Sequence, residues 1–239
     1  MPAAAADLSA LRRRLRALER GGAMTERSAV PLGDPVLDRA LPWGGLARVG
    51  VHQLEGLAGE ASVSGFAAGL GARCAGPEGR LLWLRLRRDR QEAGLPYGPG
   101  LARYGITADR LILAEAESAA ALLWALEEAL RCGALSVALA EGVAPDLTAS
   151  RRLQLAAEAS GVTALMVSHG AAPVRSAVLT RWRVAAASSP SGVHRPRWQV
   201  ELLRCRGGRP GSWMLEWENA ALGFSVVPAL AGRALAQAV

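Results

Sequence analysis

Between residues 33 and 167 short apolar runs alternate with longer segments of helical periodicity, and this alternation constrains the fold more than any other property of the chain. The apolar runs are 48–54, 80–86, 110–113, 135–140 and 162–167. The segments 61–74, 118–132 and 150–160 read as helices, with shorter ones at 34–41 and 100–104. A strand with one wet face alternates apolar and polar residues, whereas Leu81-Leu82-Trp83-Leu84 and Val137-Ala138-Leu139-Ala140 are apolar throughout. Such strands must be covered on both faces, the condition of a parallel sheet flanked by crossover helices. The last third lacks the intervening helices. There 178–187, 197–204 and 212–217 read as consecutive strands, with Gly207-Gly208-Arg209-Pro210-Gly211 as the turn between the last two. The expected fold class is α/β, with a mainly parallel central sheet, helices on both faces and antiparallel strands at the C-terminal end.

Two terminal segments stand outside this pattern. Residues 7–20 place Leu8, Leu11, Leu15 and Leu18 at spacings of three and four, one apolar stripe beside an arginine-rich face. Gly21-Gly22 ends that helix and a polar linker follows. Residues 1–27 are therefore expected to form an N-terminal basic amphipathic helix and linker, and 28–222 the core. Residues 223–239, with Phe224, Leu230 and Leu235, are expected to form a C-terminal tail that docks a partner.

Composition narrows the chemistry. The 28 basic residues are all arginine, and the formal net charge of +7 favours a polyanionic or acidic partner. Cys74, Cys132 and Cys205 are far apart with no CxxC spacing, and His52, His169 and His194 have no metal-ligand spacing. A reducing, cytoplasmic setting without a metal site is expected. No segment approaches the roughly 18 consecutive apolar residues of a membrane span, so no membrane partner is expected.

The stretch 28–56 carries Leu37-Asp38 and Ala40-Leu41 on a helix, a Gly44-Gly45-Leu46 turn and a strand running to Gly56. It resembles the start of a RecA-like core. Val178-Leu179-Thr180 to Val184, followed by Gln199 to Arg206, is similar to the late RecA strand pair and its basic turn. Over about 28–217 the chain most resembles the ImuA family, accessory factors of bacterial mutagenic translesion synthesis in the SOS response.

That resemblance implies a phosphate-binding loop after the first core strand. A working loop needs glycine backbone N–H groups around the phosphates, a lysine for the β/γ charge and a Ser/Thr hydroxyl for Mg²⁺. Gly56 keeps the first glycine, but Ala61 stands for the second, Ser62 for the lysine and Val63 for the hydroxyl. Gly59 remains inside the loop, and Glu60 adds negative charge where phosphate would sit. By the same resemblance the strand Leu82-Trp83-Leu84-Arg85-Leu86-Arg87-Arg88 carries arginine where a general-base glutamate is expected. Glu141 stands in for a Mg²⁺-linked aspartate and His169 for a glutamine that senses the γ-phosphate. From the residues alone, Glu141 reads as a structural group at a strand end and His169 as a polar rim residue. The loop is expected to be vestigial, with no catalytic residues, no metal and no cofactor. Arg85, Arg87, Arg88 and Arg90 are expected to fill the vacated place or to pair with Glu60 and Glu141.

What remains is surface. Arg12, Arg13, Arg14 and Arg16 form the densest basic cluster. They suit docking on RecA filaments or salt-sensitive, sequence-independent contact with DNA phosphates. Arg195, Arg197, Arg204, Arg206 and Arg209 form a further group near Trp198, Trp213 and Trp217, which suit either an interface or the core. The resemblance implies ImuB as the main partner, and through it an error-prone C-family DNA polymerase. Truncation from about Ser225 is expected to weaken ImuB capture and leave the core folded. A SulA-like division inhibitor that binds FtsZ is the alternative.

Overall fold

A computed structural model describes residues 28–89, 94–170, 176–189 and 195–228. It contains β1 (Ala29–Val30), α1 (Pro35–Ala40), β2 (Leu46–Ala47), β3 (Gly50–Gly56), α2 (Ser62–Ala75), β4 (Leu81–Leu86), α3 (Gly98–Ala102) and β5 (Leu111–Ala116). These are followed by α4 (Ala119–Arg131), β6 (Val137–Glu141), α5 (Leu147–Ser160), β7 (Thr163–His169), β8 (Thr180–Ala186), β9 (Arg197–Cys205), β10 (Gly211–Glu218) and β11 (Gly223–Val226).

Nine strands form one sheet in the order β11-β10-β9-β8-β3-β7-β6-β4-β5, and β1 pairs with β2 apart from it. From β8 to β5 all neighbours are parallel, while β8, β9, β10 and β11 are joined antiparallel. The expected class is therefore observed, and the architecture is consistent with a RecA-like core. Helix α2 covers one face against β3, β6, β7 and β8; α4 and α5 pack together over β3, β4, β5 and β6 on the other. This explains the unbroken apolar runs. Every residue of β3 and of β6 is buried.

Local chemistry fixes the boundaries. Ser118 caps α4 by accepting from the Ala121 N–H, so the helix proper begins one residue later than the sequence suggests. Helix α5 begins at Leu147, three residues before the expected start, because Asp146 accepts from the Ala149 N–H. Ser150 is buried inside it and accepts from the Ala177 N–H at 2.9 Å. In the Gly-Gly-Leu turn a side chain on Gly45 would run into the Val30 carbonyl, so β1 and β2 can close only over glycine.

The core beneath α2 is unusually aromatic. Phe66 lies 5.0 Å from Phe224 and 5.7 Å from Trp198 between ring centroids, and Trp217 lies 5.0 Å from Phe224. Tilted and edge-on pairs of this kind add about 1 kcal/mol each beyond their buried area. Trp198 and Trp217 are therefore core residues, and Trp213 is partly buried against the same cluster.

The expectation of a tail starting at Gly223 needs correction. Gly223–Val226 is a strand, with Phe224 opposite Trp217, and Phe224 is 2% exposed. The Phe224 N–H donates to the Leu32 carbonyl at 2.8 Å, and the Val226 N–H donates to the Asp34 carboxylate at 2.9 Å. Phe224 is thus unavailable for docking, and truncation from Ser225 would cut into the sheet. Leu230 and Leu235, like Arg12, Arg13, Arg14, Arg16 and Arg90, lie outside the described residues. No helix among the described residues is long and apolar enough to cross a membrane.

Candidate functional site

The loop between β3 and α2 sits at the carboxyl rim of the parallel strands, where α/β sheets place their ligands. Gly56 ends β3 and Ser62 opens α2, so residues 57–61 form a strand-to-helix loop where the sequence implies one. Its interior is filled by its own residues. Val63 is fully buried, and a side chain on Gly56 would come within 2.6 Å of Val63 Cγ1. Gly59 has a positive φ of 80° and open space around it. Ala61 precedes α2 without a capping side chain, and Ser62 Oγ donates to Glu60 at 3.1 Å. Glu60 is thereby engaged within the loop, and among the described residues it pairs with none of the rim arginines.

Glu141, at the end of β6, is the centre of the rim. It is 3% exposed and has two partners on each oxygen. Oε1 accepts from Ser64 Oγ of α2 and meets His169 Nε2 of β7 at 3.0 Å. Oε2 accepts from Trp83 Nε1 of β4 at 2.9 Å and lies 3.0 Å from Arg85 Nε. That last contact is an ion pair not aligned as a hydrogen bond, since Arg85 Nε makes none. Arg85 is held from its other side by Nη1, which donates to the Gly94 carbonyl at 2.6 Å. A carboxylate offers about four lone-pair directions; three take hydrogen bonds here and the Arg85 charge lies beside the fourth partner position.

The electrostatics follow from this geometry. Burial alone pushes the Glu141 carboxyl up, but hydrogen bonds from His169, Ser64 and Trp83 and the Arg85 charge outweigh it and hold it below its usual range. His169 is raised, chiefly by its hydrogen bond to Glu141; burial opposes this, the charges of Glu141 and Asp89 add to it, and Arg85 opposes it. Chemically the arrangement is a clamp that ties α2, β4, β6 and β7 together. Both oxygens of its carboxylate are engaged by neighbouring side chains.

The expected pairing of Arg85 with Glu141 is present. Arg87 instead pairs with Glu117 and lies 3.9 Å from Glu115, and Arg88 lies 3.6 Å from its neighbour Asp89. Ser64 and Trp83 are partners that a reading of the sequence misses, because one looks like a helical surface residue and the other like core.

A second buried carboxylate, Glu55 of β3, is 4% exposed. It accepts from Arg181 Nη2 at 2.7 Å and from Arg183 Nε at 3.2 Å, both on the neighbouring β8. Arg195 and Arg197 converge on Glu216 of β10 at 3.2 and 2.6 Å. The late arginine group thus divides. Arg195 and Arg197 are held by internal pairs; Arg204 is exposed and donates to the Ser176 carbonyl at 2.5 Å; Arg206 and Arg209 are exposed.

The remaining polar groups are structural. His52 is fully buried, 2.7 Å from Thr180 Oγ1 and 2.9 Å from the Ala47 carbonyl. Burial pushes the Cys74 thiol up to about 12 and the Cys205 thiol up to about 11, which keeps both protonated and unreactive. No cluster of His, Cys, Asp or Glu among the described residues is arranged to hold a metal ion.

Comparison with known proteins adds the last observation. No protein-family profile matches the chain. The chain is 37% identical over 243 aligned residues to Protein ImuA of Caulobacter vibrioides strain NA1000 / CB15N, covering 91% of this chain and 96% of that protein. Protein ImuA of strain ATCC 19089 / CIP 103742 / CB 15 matches to the same extent. An α/β fold with antiparallel late strands, and a relationship of this strength along nearly the whole length, place the chain in one family: it belongs to the ImuA family.

Proposed function

We propose that this chain is a non-catalytic, RecA-like adaptor of the bacterial SOS mutagenic translesion synthesis complex, acting in the cytoplasm by binding ImuB. Membership of the ImuA family supports a role in the ImuA–ImuB mutagenesis system. The observation that supports the non-catalytic part is the engagement of Glu141 by four side chains, which occupies the carboxylate that stands in for the Mg²⁺-linked aspartate. In an adaptor of this kind the rim holds the fold together, and partner recognition falls to the arginine-rich surface and the chain termini. Through ImuB the adaptor would reach the error-prone C-family polymerase. The arginines of residues 12–16 would add contacts to RecA filaments or to DNA phosphates.

The test has two parts. Titration calorimetry with Mg-ATP is expected to give no saturable heat, and micromolar binding with turnover would refute the non-catalytic reading. Pull-downs with tagged ImuB, RecA and FtsZ are expected to retain ImuB; retention of FtsZ without ImuB would instead favour the division-inhibitor alternative.

A further inference from the structure

A shallow cleft of about 380 Å³ opens between the end of α1 and the turn that joins β9 to β10. Pro42, Pro210 and Trp213 give it apolar walls, and Arg39 and Arg209 line it from its two sides of the chain. Its volume is at the lower end of ligand pockets, roughly 300–1,000 Å³, enough to seat a large side chain.

Arg85, Arg87, Arg181, Arg183, Arg195 and Arg197 are paired with carboxylates. Arg39 and Arg209 are exposed and have no ion pair among the described residues. The acidic groups nearest Arg39 in sequence are already committed. Asp34 accepts from the Val36 and Val226 N–H groups, and Asp38 accepts from the Leu32 N–H at 2.6 Å. Neither carboxylate forms an ion pair with Arg39, whose guanidinium stays free for an outside partner. The cleft also borders the exit of the C-terminal segment. Val226 pairs with Leu215, and the Val227 N–H donates to the Met214 carbonyl at 2.9 Å, so the chain leaves the sheet alongside Trp213.

We propose that this cleft docks an acidic peptide segment of the partner, with an apolar or aromatic side chain seated between Pro42, Pro210 and Trp213 and flanking carboxylates on Arg39 and Arg209. Arginine forks match carboxylates, and Arg and Trp recur where partner side chains anchor. A nucleic-acid backbone fits less well. It needs a basic track with open aromatic faces for stacking, whereas here two cations flank one apolar hollow. The Trp213 ring, moreover, is packed 6.3 Å from Trp182.

The proposal rests on the adaptor reading and deepens it, and one experiment separates the two. Full-length chain is titrated onto immobilised ImuB and onto a labelled 25-mer of deoxythymidylate. Wild type is expected to bind ImuB more weakly as salt is raised. The pair Arg39→Glu and Arg209→Glu is expected to bind it at least about tenfold more weakly. Arg39→Ala with Arg209→Ala should lose less, and Arg151→Glu on the exposed side of α5 nothing. If the glutamate pair disturbs the circular dichroism spectrum, the alanine pair decides. Equal ImuB affinity in wild type and the paired variants would overturn the cleft and leave the adaptor reading standing. Failure of wild type to bind ImuB would overturn both. Loss of oligonucleotide binding in the paired variants with ImuB binding intact would give the arginines to nucleic acid and overturn the proposal.

Discussion

Ser64 of α2 and Glu141 of β6 are joined by a hydrogen bond across the carboxyl rim of the sheet. The bond draws the first turn of α2 toward a carboxylate that also meets Trp83, Arg85 and His169. A phosphate bound at the start of a helix takes up backbone N–H groups and needs positive charge around it. Here a side-chain hydroxyl and a buried anion meet instead, and the contact makes this part of the rim a structural joint.

Glu141→Ala should therefore be one of the most destabilising substitutions outside the apolar core. It would leave the Arg85 side chain, 10% exposed, facing an unbalanced hollow, and orphan the Trp83 N–H. Breaking a buried ion pair in this way costs about 3–5 kcal/mol. Glu141→Gln keeps an acceptor and should cost less. Urea unfolding followed by tryptophan fluorescence measures both; a midpoint unchanged by Glu141→Ala would show that the network contributes nothing.

The pH dependence of stability has a defined sign. His169 is raised above an ordinary value of 6.5 by its bond to Glu141, so its contribution is complete below 6.5 and disappears as the pH rises through the raised value. Glu141 is depressed below an ordinary 4.5, so its contribution is complete above 4.5 and disappears as the pH falls through the depressed value. The pair is therefore worth most between these two ordinary values. Melting temperatures across pH 5 to 9 should fall on the alkaline side in wild type, and His169→Gln should flatten that limb. A wild-type decline that persists in His169→Gln would assign the effect elsewhere.

The parallel half of the sheet was legible in the sequence because strands buried on both faces leave unbroken apolar runs, and here those runs alternate with helical segments. Strand β11 was not legible. Gly223–Val226 is short, and its stability comes from distant groups: β10, the Leu32 carbonyl and the Asp34 carboxylate. The rim was half legible. Glu141 and Arg85 announce themselves as charges in apolar strands, which must find each other or another partner. Ser64 and Trp83 carry no such signal. Glu55 could have been matched with Arg181 and Arg183 by the same reasoning, since both arginines point from one face of the next strand.

Rebuilding the loop residues should not rebuild the site. Ser62→Lys with Val63→Thr restores the lysine and the metal-binding hydroxyl by type. Position 63, however, is fully buried and packed on Gly56, so a hydroxyl there would lack water. Burying an unpartnered hydroxyl costs about 1–3 kcal/mol, and Glu141 remains engaged. The double variant should be less stable than wild type and should still give no heat with Mg-ATP. Micromolar binding would show that the missing residue types alone had silenced the loop.

The two parts of the C-terminal region should separate on truncation. Removing residues 229–239 leaves every described strand whole, and the melting temperature is expected to stay close to that of the full chain. ImuB capture would weaken only if Leu230 and Leu235 contribute to docking. Truncation after Ala221, by contrast, removes Phe224 from contact with Phe66, Trp198 and Trp217 and opens the edge of β10. Loss of one buried phenylalanine costs about 3–5 kcal/mol, a large fraction of the stability of a domain this size. Phe224→Ala in the full chain should reproduce most of that loss without shortening it. Equal melting temperatures for Phe224→Ala and wild type would place Phe224 outside the core and return it to the docking segment.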